Sequence, residues 1–507
     1  MELSPALVLG RIHTMVEPGD TVDWMIVEGG RIARTGRGSP PDALSPDCRR
    51  IDLDGQAVLP SFVDAHVHLL GTGLLDLDLD LGDAKDFEEV LELVSAEARE
   101  HRGSILRAHS FDPDALVGGR YPTMHELDAI SRDVPVWVRR RDGHSSVVNR
   151  MAWELLSVRE DTCGVDLDAA GLPTGVLRGE AHTLAARRVH ELLSRDERVE
   201  GYRRASEQAI ARGAGTVHSL VGAPDPNDRE IELATEVADA LPIETVIYAQ
   251  TEEIDRVASL GLPRIGGCLL LDGSFGSRTA AVSAPYVGGG LGRLYYTDDR
   301  LTGFLRAAHS RGLQVAMHAI GDRAVGQFLR ALNAACGSDA RGSRHRIEHC
   351  ELAGDQDIAA MRRLGVSVCV QPAFELYWGA PGGLYERRLG AERAARTNPW
   401  RSMLAAGVHL GGGSDSYVTP LDPLLGIHAA ANRRDGAESL SVFDAVALFT
   451  KGARRLSFDE HRAGTLEAGK DASFVVLDQD PFEIDPGRIR GVGVAGLVMR
   501  GRALLGL

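Results

Sequence analysis

The 507-residue sequence predicts an α/β protein: a (β/α)8 barrel with a small β domain assembled from both chain ends. Three observations carry that prediction. Eight apolar runs of β type are spaced along the middle of the chain, helical patterns lie between several of them, and both ends read as short strands punctuated by glycine.

At the N-terminus, ALVLGRIHTM (6–15), DWMIVEGGRIARTG (23–36) and RRIDLDGQAVLP (49–60) are β-like, with a turn at Gly29-Gly30. At the C-terminus, DASFVVLDQD (471–480), GVGVAGLVMRG (491–501) and RALLGL (502–507) read the same way. Residues 1–57 with 464–507 are therefore expected to form one β unit, and 58–463 the barrel. The barrel strands are expected at Val58–Leu69, Gly215–Leu220, Ile243–Ala249, Gly267–Leu271, Leu313–Ala319, Arg344–His349, Val366–Gln371 and Val408–Gly411. Amphipathic helical patterns cover Arg204–Arg212, Thr302–Arg311, Asp322–Ala335 and Asp355–Leu364. The stretch 70–214 is too long for one crossover. It holds a helical segment at Phe87–His101 and strand-like segments at Ser104–His109 and Val134–Arg139, so an insertion that caps the barrel mouth is expected. The acidic run DLDLDLGDAKD (76–86) alternates with Leu as a solvated edge strand would.

Lys+Arg is 56 against Asp+Glu 72, a net charge of −16, which argues against nonspecific nucleic-acid binding and against an anionic membrane surface. No apolar run is long enough for a transmembrane helix, and the first twenty residues lack the basic and apolar regions of a signal peptide. The six cysteines form no CxxC pair, and a reducing cytoplasm is the expected compartment. No GxSxG elbow is present, and GGGSDS (411–416) lacks the ending of a phosphate loop.

The chemistry-bearing residues gather at strand ends. Asp64-Ala65-His66-Val67-His68 closes the first run, and two histidines two apart on a strand point to the same side, where both can grip one metal ion. His318 (QVAMHAIGDRA), His349 (RHRIEHCEL) and Asp415 (VHLGGGSDS) end three further runs. Barrel active sites form at those C-terminal ends, so four imidazoles and a carboxylate there suit a divalent cation of borderline softness, Zn2+ or a similar ion. Asp322, four residues after His318, is expected to cap the following helix or to orient His318. Phe374, Tyr377 and Trp378 after the seventh run suggest an aromatic wall for an apolar or ring-bearing substituent.

Nine stretches, in order and across nearly the whole chain, resemble the amidohydrolase superfamily, in the branch containing N-substituted formamide deformylases: LPSFVDAHVHL (59–69), RRDGHSSVVNRMA (140–152), GLPTGVLRGEA (171–181), LDGSFGSRTA (271–280), HAIGDRA (318–324), RHRIEHCEL (344–352), GGSDSYV (412–418), DPLLGI (422–427) and GTLEAGKDASFVVLDQDP (464–481). The resemblance implies a distorted (β/α)8 TIM-like barrel with a β-sandwich built from both termini. It also implies His66, His68, His318, His349 and Asp415 as metal ligands. In the family a Lys that is carboxylated and bridges two metals stands four residues before the Asp of the DGS stretch; here that position is Cys268. Three readings stay open. Cys268 can bind or bridge the metal as a thiolate, the site can hold one ion without it, or Cys268 can be a small buried hydrophobe. Glu180 is a further candidate ligand whose alternative is a first-turn helix carboxylate.

The resemblance implies hydrolysis of a nonpeptide carbon–nitrogen bond (N-acyl, N-formyl or cyclic amide). A metal-activated hydroxide, its water pKa brought down to about 7, is the attacking group. Asp415 is the expected proton shuttle, and His349 or the metal polarises the carbonyl. One or two divalent ions, most simply Zn2+, are implied, with a small-molecule substrate and no nucleic-acid or membrane partner. The oligomeric state stays open between a monomer and a homodimer. His144 and Arg278 are expected to touch substrate, with Trp378 on the apolar side; a turn histidine and a structural ion pair are the alternatives for the first two. Two rival readings remain. One is a one-metal heterocycle deaminase, disfavoured because position 321, where such enzymes carry Glu, is Gly; the other is a noncatalytic binding or assembly protein that lost the bridging Lys.

Overall fold

The computed structural model describes residues 2–3, 5–41, 47–113, 116–117, 119–141, 143, 145–222, 229–433 and 436–506. By contact the chain divides into two units, Met1–Leu69 with Ser206–Leu507, and Leu70–Ala205.

The first unit contains an eight-stranded parallel sheet: β1 (Phe62–Val67), β2 (Ala214–Val221), β3 (Glu244–Ala249), β4 (Arg264–Ile265), β5 (Gln314–Ala319), β6 (Arg346–His349), β7 (Ser367–Val370) and β8 (His409–Gly412). Each strand pairs with its neighbour in that order. The two ends of the sheet meet just past the strands. Val67 bridges Ser416, the Asp415 N–H donates to the His66 carbonyl at 2.8 Å, and the His68 N–H donates to Ser416 O at 2.7 Å. The result is the expected distorted barrel. Gly413 makes that closure possible, because a Cβ there would lie 2.5 Å from the backbone nitrogen of His66.

Seven of the eight expected strands fall where the apolar runs lie. The fourth does not. The run Gly267–Leu271 follows a strand of only two residues, because Gly266 and Gly267 adopt φ of 95° and 58° and turn the chain out of the ladder. Beyond them only Leu270 bridges, to His318. The helices match their apolar period. Asp322–Cys336 buries Ala324, Val325, Phe328, Leu329 and Leu332, and Asp355–Leu364 buries Ile358, Met361 and Leu364 before ending at Gly365 with φ 70°. Truncating a fully buried side chain such as Phe328 to Ala would cost about 3–5 kcal/mol.

The strands of both chain ends are hydrogen-bonded into one seven-stranded sheet. Its order is Arg502–Leu505, Val494–Met499, Phe474–Leu477, Arg49–Pro60, Ala6–His13, Thr21–Glu28 and Arg31–Gly36. Alternation sends Val8, Ile12, Met25, Val27, Phe474, Val476 and Val498 into one core, and Leu7, Trp24 and Ile26 into another. Only Ser61 separates Arg49–Pro60 from β1, so the sheet fixes where the first barrel strand begins.

The second unit is a six-stranded sheet, in the order Val165–Leu167, Pro173–Arg178, Ser145–Val148, Val136–Arg140, Leu106–Phe111 and Leu79–Asp80. Helices Phe87–Glu100, Met124–Ile130 and Gly179–Glu191 accompany it. The acidic run supplies the edge strand of this sheet, Leu79–Asp80, and Asp76, Asp80 and Asp83 are exposed, as expected of a solvated edge. Asp78 departs from that pattern: it is half-buried, 2.6 Å from Arg107, which also pairs with Glu197. No helix among the described residues is long and apolar enough to cross a membrane.

Candidate metal centre

The ends of β1, β5, β6 and β8 and the segment after β4 bring six donors together. His66 and His68 leave β1 on one side; His66 is fully buried and the His68 side chain is 27% exposed. Asp415 Oδ1 lies 3.3 Å from His66 Nε2 and 3.2 Å from His68 Nε2. Opposite them, Cys268 Sγ lies 3.7 Å from His318 Nδ1 and 3.7 Å from His349 Nε2. The His349 ring is 5.0 Å from that of His66 and 4.5 Å from that of His318, centroid to centroid. His66, Cys268 and His349 offer donor atoms within 4.8 Å of one another, and so do His66, His68 and Asp415.

Backbone strain aims two of these groups. Strict alternation along β6 turns Arg346 and Glu348 to one side and His349 to the other, but His349 adopts φ 71°, and Asp415 adopts φ 57°. Both conformations are costly for non-glycine residues and concentrate where surrounding structure over-determines them. Asp64, in the same motif as the two histidines, holds the barrel closed: its Oδ1 accepts the Ser414 N–H at 2.8 Å and the His66 N–H at 3.3 Å.

The electrostatics follow from burying anions among imidazoles. Burial opposes ionisation of Cys268, yet His318 and His349, with His66 and His68, hold its thiol well below the usual range. Burial likewise opposes charge on Asp415, and His66 and His68 overcome it, so its pKa falls well below the carboxylate range. Burial works against the cationic forms of His68 and His318, but Asp415 raises the first to about 10 and Cys268 raises the second to about 9. A thiolate and a carboxylate thus sit ionised inside a ring of imidazoles.

These residues fit a divalent cation. His66 Nε2 and Asp415 Oδ1, which face each other, are buried with no hydrogen-bond partner among the described residues, which is costly unless something else occupies them. The 3.2 and 3.3 Å separations equal the ~3.3 Å edge of a tetrahedron with ~2.0–2.1 Å bonds, and the 3.7 Å separations suit the longer bond to sulfur. The second nitrogen of two of the histidines is already committed. His318 Nε2–H donates to the Gly273 carbonyl at 3.2 Å, leaving Nδ1 toward Cys268. His66 Nδ1–H donates to Glu348 at 2.6 Å, leaving Nε2 toward Asp415.

Asp322, Arg278 and Trp378 are not among these donors. Asp322 accepts from the Ser283 N–H at 2.8 Å and from the Ser283 hydroxyl, so it does not orient His318; Gly273 does. Glu180 is an exposed residue in the first turn of Gly179–Glu191, which is the helix-carboxylate alternative. Arg278 is exposed and makes no ion pair among the described residues. Trp378 packs edge-on against Phe374 at 4.5 Å, and it is Phe374 that stacks on His349 at 5.9 Å. His144 lies outside the described residues. Sequence reasoning missed Glu348 and Arg346. The signal was their period-two spacing in RIEH, which turns both to the same side of β6 as a buried pair of opposite charge.

A parallel eight-stranded barrel whose strand ends gather histidines, a thiolate and an aspartate is the architecture of a metal-dependent hydrolase. The comparisons with known proteins agree. Residues 49–504 match the model of the Amidohydrolase family, and the chain belongs to that family. It is 29% identical to the YtcJ protein of Bacillus subtilis (strain 168), over 97% of this chain and 98% of that one. It is 24% identical to N-substituted formamide deformylase of Arthrobacter pascens, over 96% of each. Among solved structures, an uncharacterized metal-dependent hydrolase from Pyrococcus furiosus superposes with a TM-score of 0.81 at 30% identity, covering 94% of this chain and 100% of that one.

Proposed function

We propose that this hydrolase cleaves a nonpeptide carbon–nitrogen bond, an N-acyl, N-formyl or cyclic amide, in a small molecule carrying an apolar or aromatic substituent. The observation that carries the reading is the donor set itself: His66 Nε2 and the ionised Asp415 Oδ1 lie buried without hydrogen-bond partners among the described residues, and an ionised thiol lies against His318 Nδ1 and His349 Nε2. His66, His68 and Asp415 would hold one divalent ion, and His318 with His349 a second. Cys268 stands between them, the residue that replaces the family's bridging lysine. Zn2+ suits the nitrogen, oxygen and sulfur donors best. When bound, such an ion supplies Lewis acidity and makes water a nucleophile near neutral pH.

The protein's own groups supply the rest. Asp415, the only carboxylate in the donor set, takes a proton from the attacking water and returns it to the leaving nitrogen. An amide needs that second transfer, because its anion is a very poor leaving group. Phe374 stacks on His349, Tyr417 lies 6.1 Å from the His68 ring, and Leu270 bridges His318. Tyr417 and Leu270 are each 46% exposed, and Tyr377 is 51% exposed, leaving apolar surface beside the centre. The relative named N-substituted formamide deformylase points toward the same bond class.

The test is a panel of N-formyl, N-acetyl and cyclic amides bearing aryl, alkyl or charged substituents, assayed with the metal-loaded protein by amine release. Turnover of aryl-substituted amides, falling at least ~10³-fold in kcat for Asp415→Asn, is the expected outcome. A full-rate Asp415→Asn protein, or ammonia release from nitrogen heterocycles in place of amide cleavage, would overturn the reading.

A further inference from the structure

Below the donor cluster the barrel is not filled by hydrocarbon alone. Arg346 and Glu348 point inward from β6 and both are fully buried. The Arg346 Nε and Nη2 atoms form a two-pronged ion pair with the Glu348 carboxylate, and Nη2 also donates to the Ala65 carbonyl on β1. Arg346 Nη1 donates to His218 Nδ1 at 3.0 Å from β2. The face of Tyr248, from β3, lies 4.6 Å from the guanidinium carbon. The Tyr248 hydroxyl donates to Gln314 Oε1 at 3.0 Å on β5. This polar column starts at the floor of the barrel and ends at one atom of the donor cluster, His66 Nδ1, which Glu348 Oε2 holds at 2.6 Å.

We propose that Glu348 and Arg346 are positioning residues that prepare the metal site of His66, His68 and Asp415 by fixing the ring and tautomer of His66; this rests on the metal-centre reading above. An imidazole binds a metal through an unprotonated nitrogen, so a ligand whose other nitrogen is held protonated by a carboxylate presents its lone pair ready-made. Glu348 does this for His66. Buried without a counter-charge, Glu348 would be costly as an anion; as a neutral acid it would hold the ring more weakly. Arg346 supplies that counter-charge, and its further contacts with Ala65, His218 and Tyr248 lock the pair to strands one, two and three. The pair thereby ties the aim of one ligand to the closed barrel. His318 does not depend on it, because that ring is oriented by the Gly273 carbonyl.

The experiment is a zinc titration of chelator-stripped protein against a chromogenic competitor, for wild type, Glu348→Gln and the double variant Arg346→Met/Glu348→Gln. The double variant removes both charges together, so it keeps the fold even where the single variant, with an unpaired buried arginine, does not. Circular dichroism and thermal melting check that it does. The expected result is a 10–100-fold weaker zinc affinity at one site, the other site unchanged, for whichever variant is folded, the double variant being the decisive one. A folded double variant that binds both ions as tightly as wild type, within twofold, overturns the inference alone. A folded wild type that takes up no zinc overturns the metal-centre reading and the inference with it.

Discussion

Two clusters of histidine and cysteine stand at opposite ends of this barrel, and only one is arranged to receive a cation. The first is the donor set at the C-terminal strand ends. The second joins His309, at the end of the helix Asp298–Ser310 that leads into β5, with Cys336, which ends the helix after β5, and His345, just before β6. By residue type and spacing the second is also a plausible metal site, since its donor atoms lie within 4.8 Å of one another. Its protons are in the wrong places. His345 Nδ1 accepts the Val315 N–H at 3.0 Å, so the neutral ring carries its own proton on Nε2 and donates it to His309 Nδ1 at 3.1 Å. That bond consumes one lone pair and blocks another. At the first cluster, His66 and His318 donate from one nitrogen to a fixed acceptor and turn the other toward an anion, where a cation has only a proton to displace. The thiols differ in the same sense. Burial raises Cys336 above the ordinary thiol value, and surrounding imidazoles pull Cys268 well below it. Which nitrogen already has a partner, more than how many donors are near, separates a ligand cluster from a packed one.

The strongest way to break that comparison is to remove one histidine from each end. His66→Ala is expected to lose at least half of the bound metal after dialysis and at least ~10³-fold in kcat. His309→Ala is expected to keep wild-type metal content and a kcat within twofold. Metal analysis of both dialysed proteins, together with steady-state kinetics, checks the pair. Metal lost on changing His309 would mean that the outer cluster also binds, contrary to its hydrogen bonding.

A smaller contrast uses sulfur. Cys268→Ser keeps the shape of the side chain but replaces a low-pKa thiol with a hydroxyl that stays protonated and is a poorer donor for borderline ions. Zinc affinity is expected to fall ~10–100-fold with the fold intact. Cys336→Ser is expected to change neither affinity nor activity. Equal zinc affinity for Cys268→Ser and wild type would make Cys268 a packing residue and leave the centre to imidazole and carboxylate alone.

The comparison also marks where the sequence could be read and where it could not. The barrel was legible because seven strands coincide with β-type runs spaced between helical patterns; the fourth was not, because Gly266 and Gly267 end the ladder and the apolar letters continue past it. His66, His68, His318, His349 and Asp415 were legible because each ends such a run. Glu348 was passed over because a carboxylate beside a histidine in one strand ought to face away from it. The left-handed turn at His349 cancels that rule and brings both to the centre. Asp322 misled for a different reason: a position four residues from a ligand says nothing about whether a nearer acceptor, here the Gly273 carbonyl, has already taken the proton. Proton placement on a buried ring is a three-dimensional property, and no spacing rule encodes it.

The smallest expected effect tests the outer cluster on its own terms. Burial, and the neighbouring His309, lower the pKa of His345 from 6.5 to about 3. The folded protein therefore keeps this ring neutral where the unfolded chain protonates it. Between about pH 6.5 and 3 the unfolded state binds one more proton than the native state, so stability falls as pH is lowered through that window and is flat above it. At about 1.4 kcal/mol per pKa unit the full shift corresponds to at most about 5 kcal/mol. His345→Asn offers an amide oxygen to the Val315 N–H and has nothing to titrate. It should cost about 1 kcal/mol at pH 7.5 for the lost contact with His309, and lose less stability than wild type on going to pH 4.5. Urea unfolding of the two proteins at both pH values measures this. Parallel losses would mean that His345 titrates normally in the fold, with Nε2 open to a ligand after all, and the distinction drawn between the two clusters would fall.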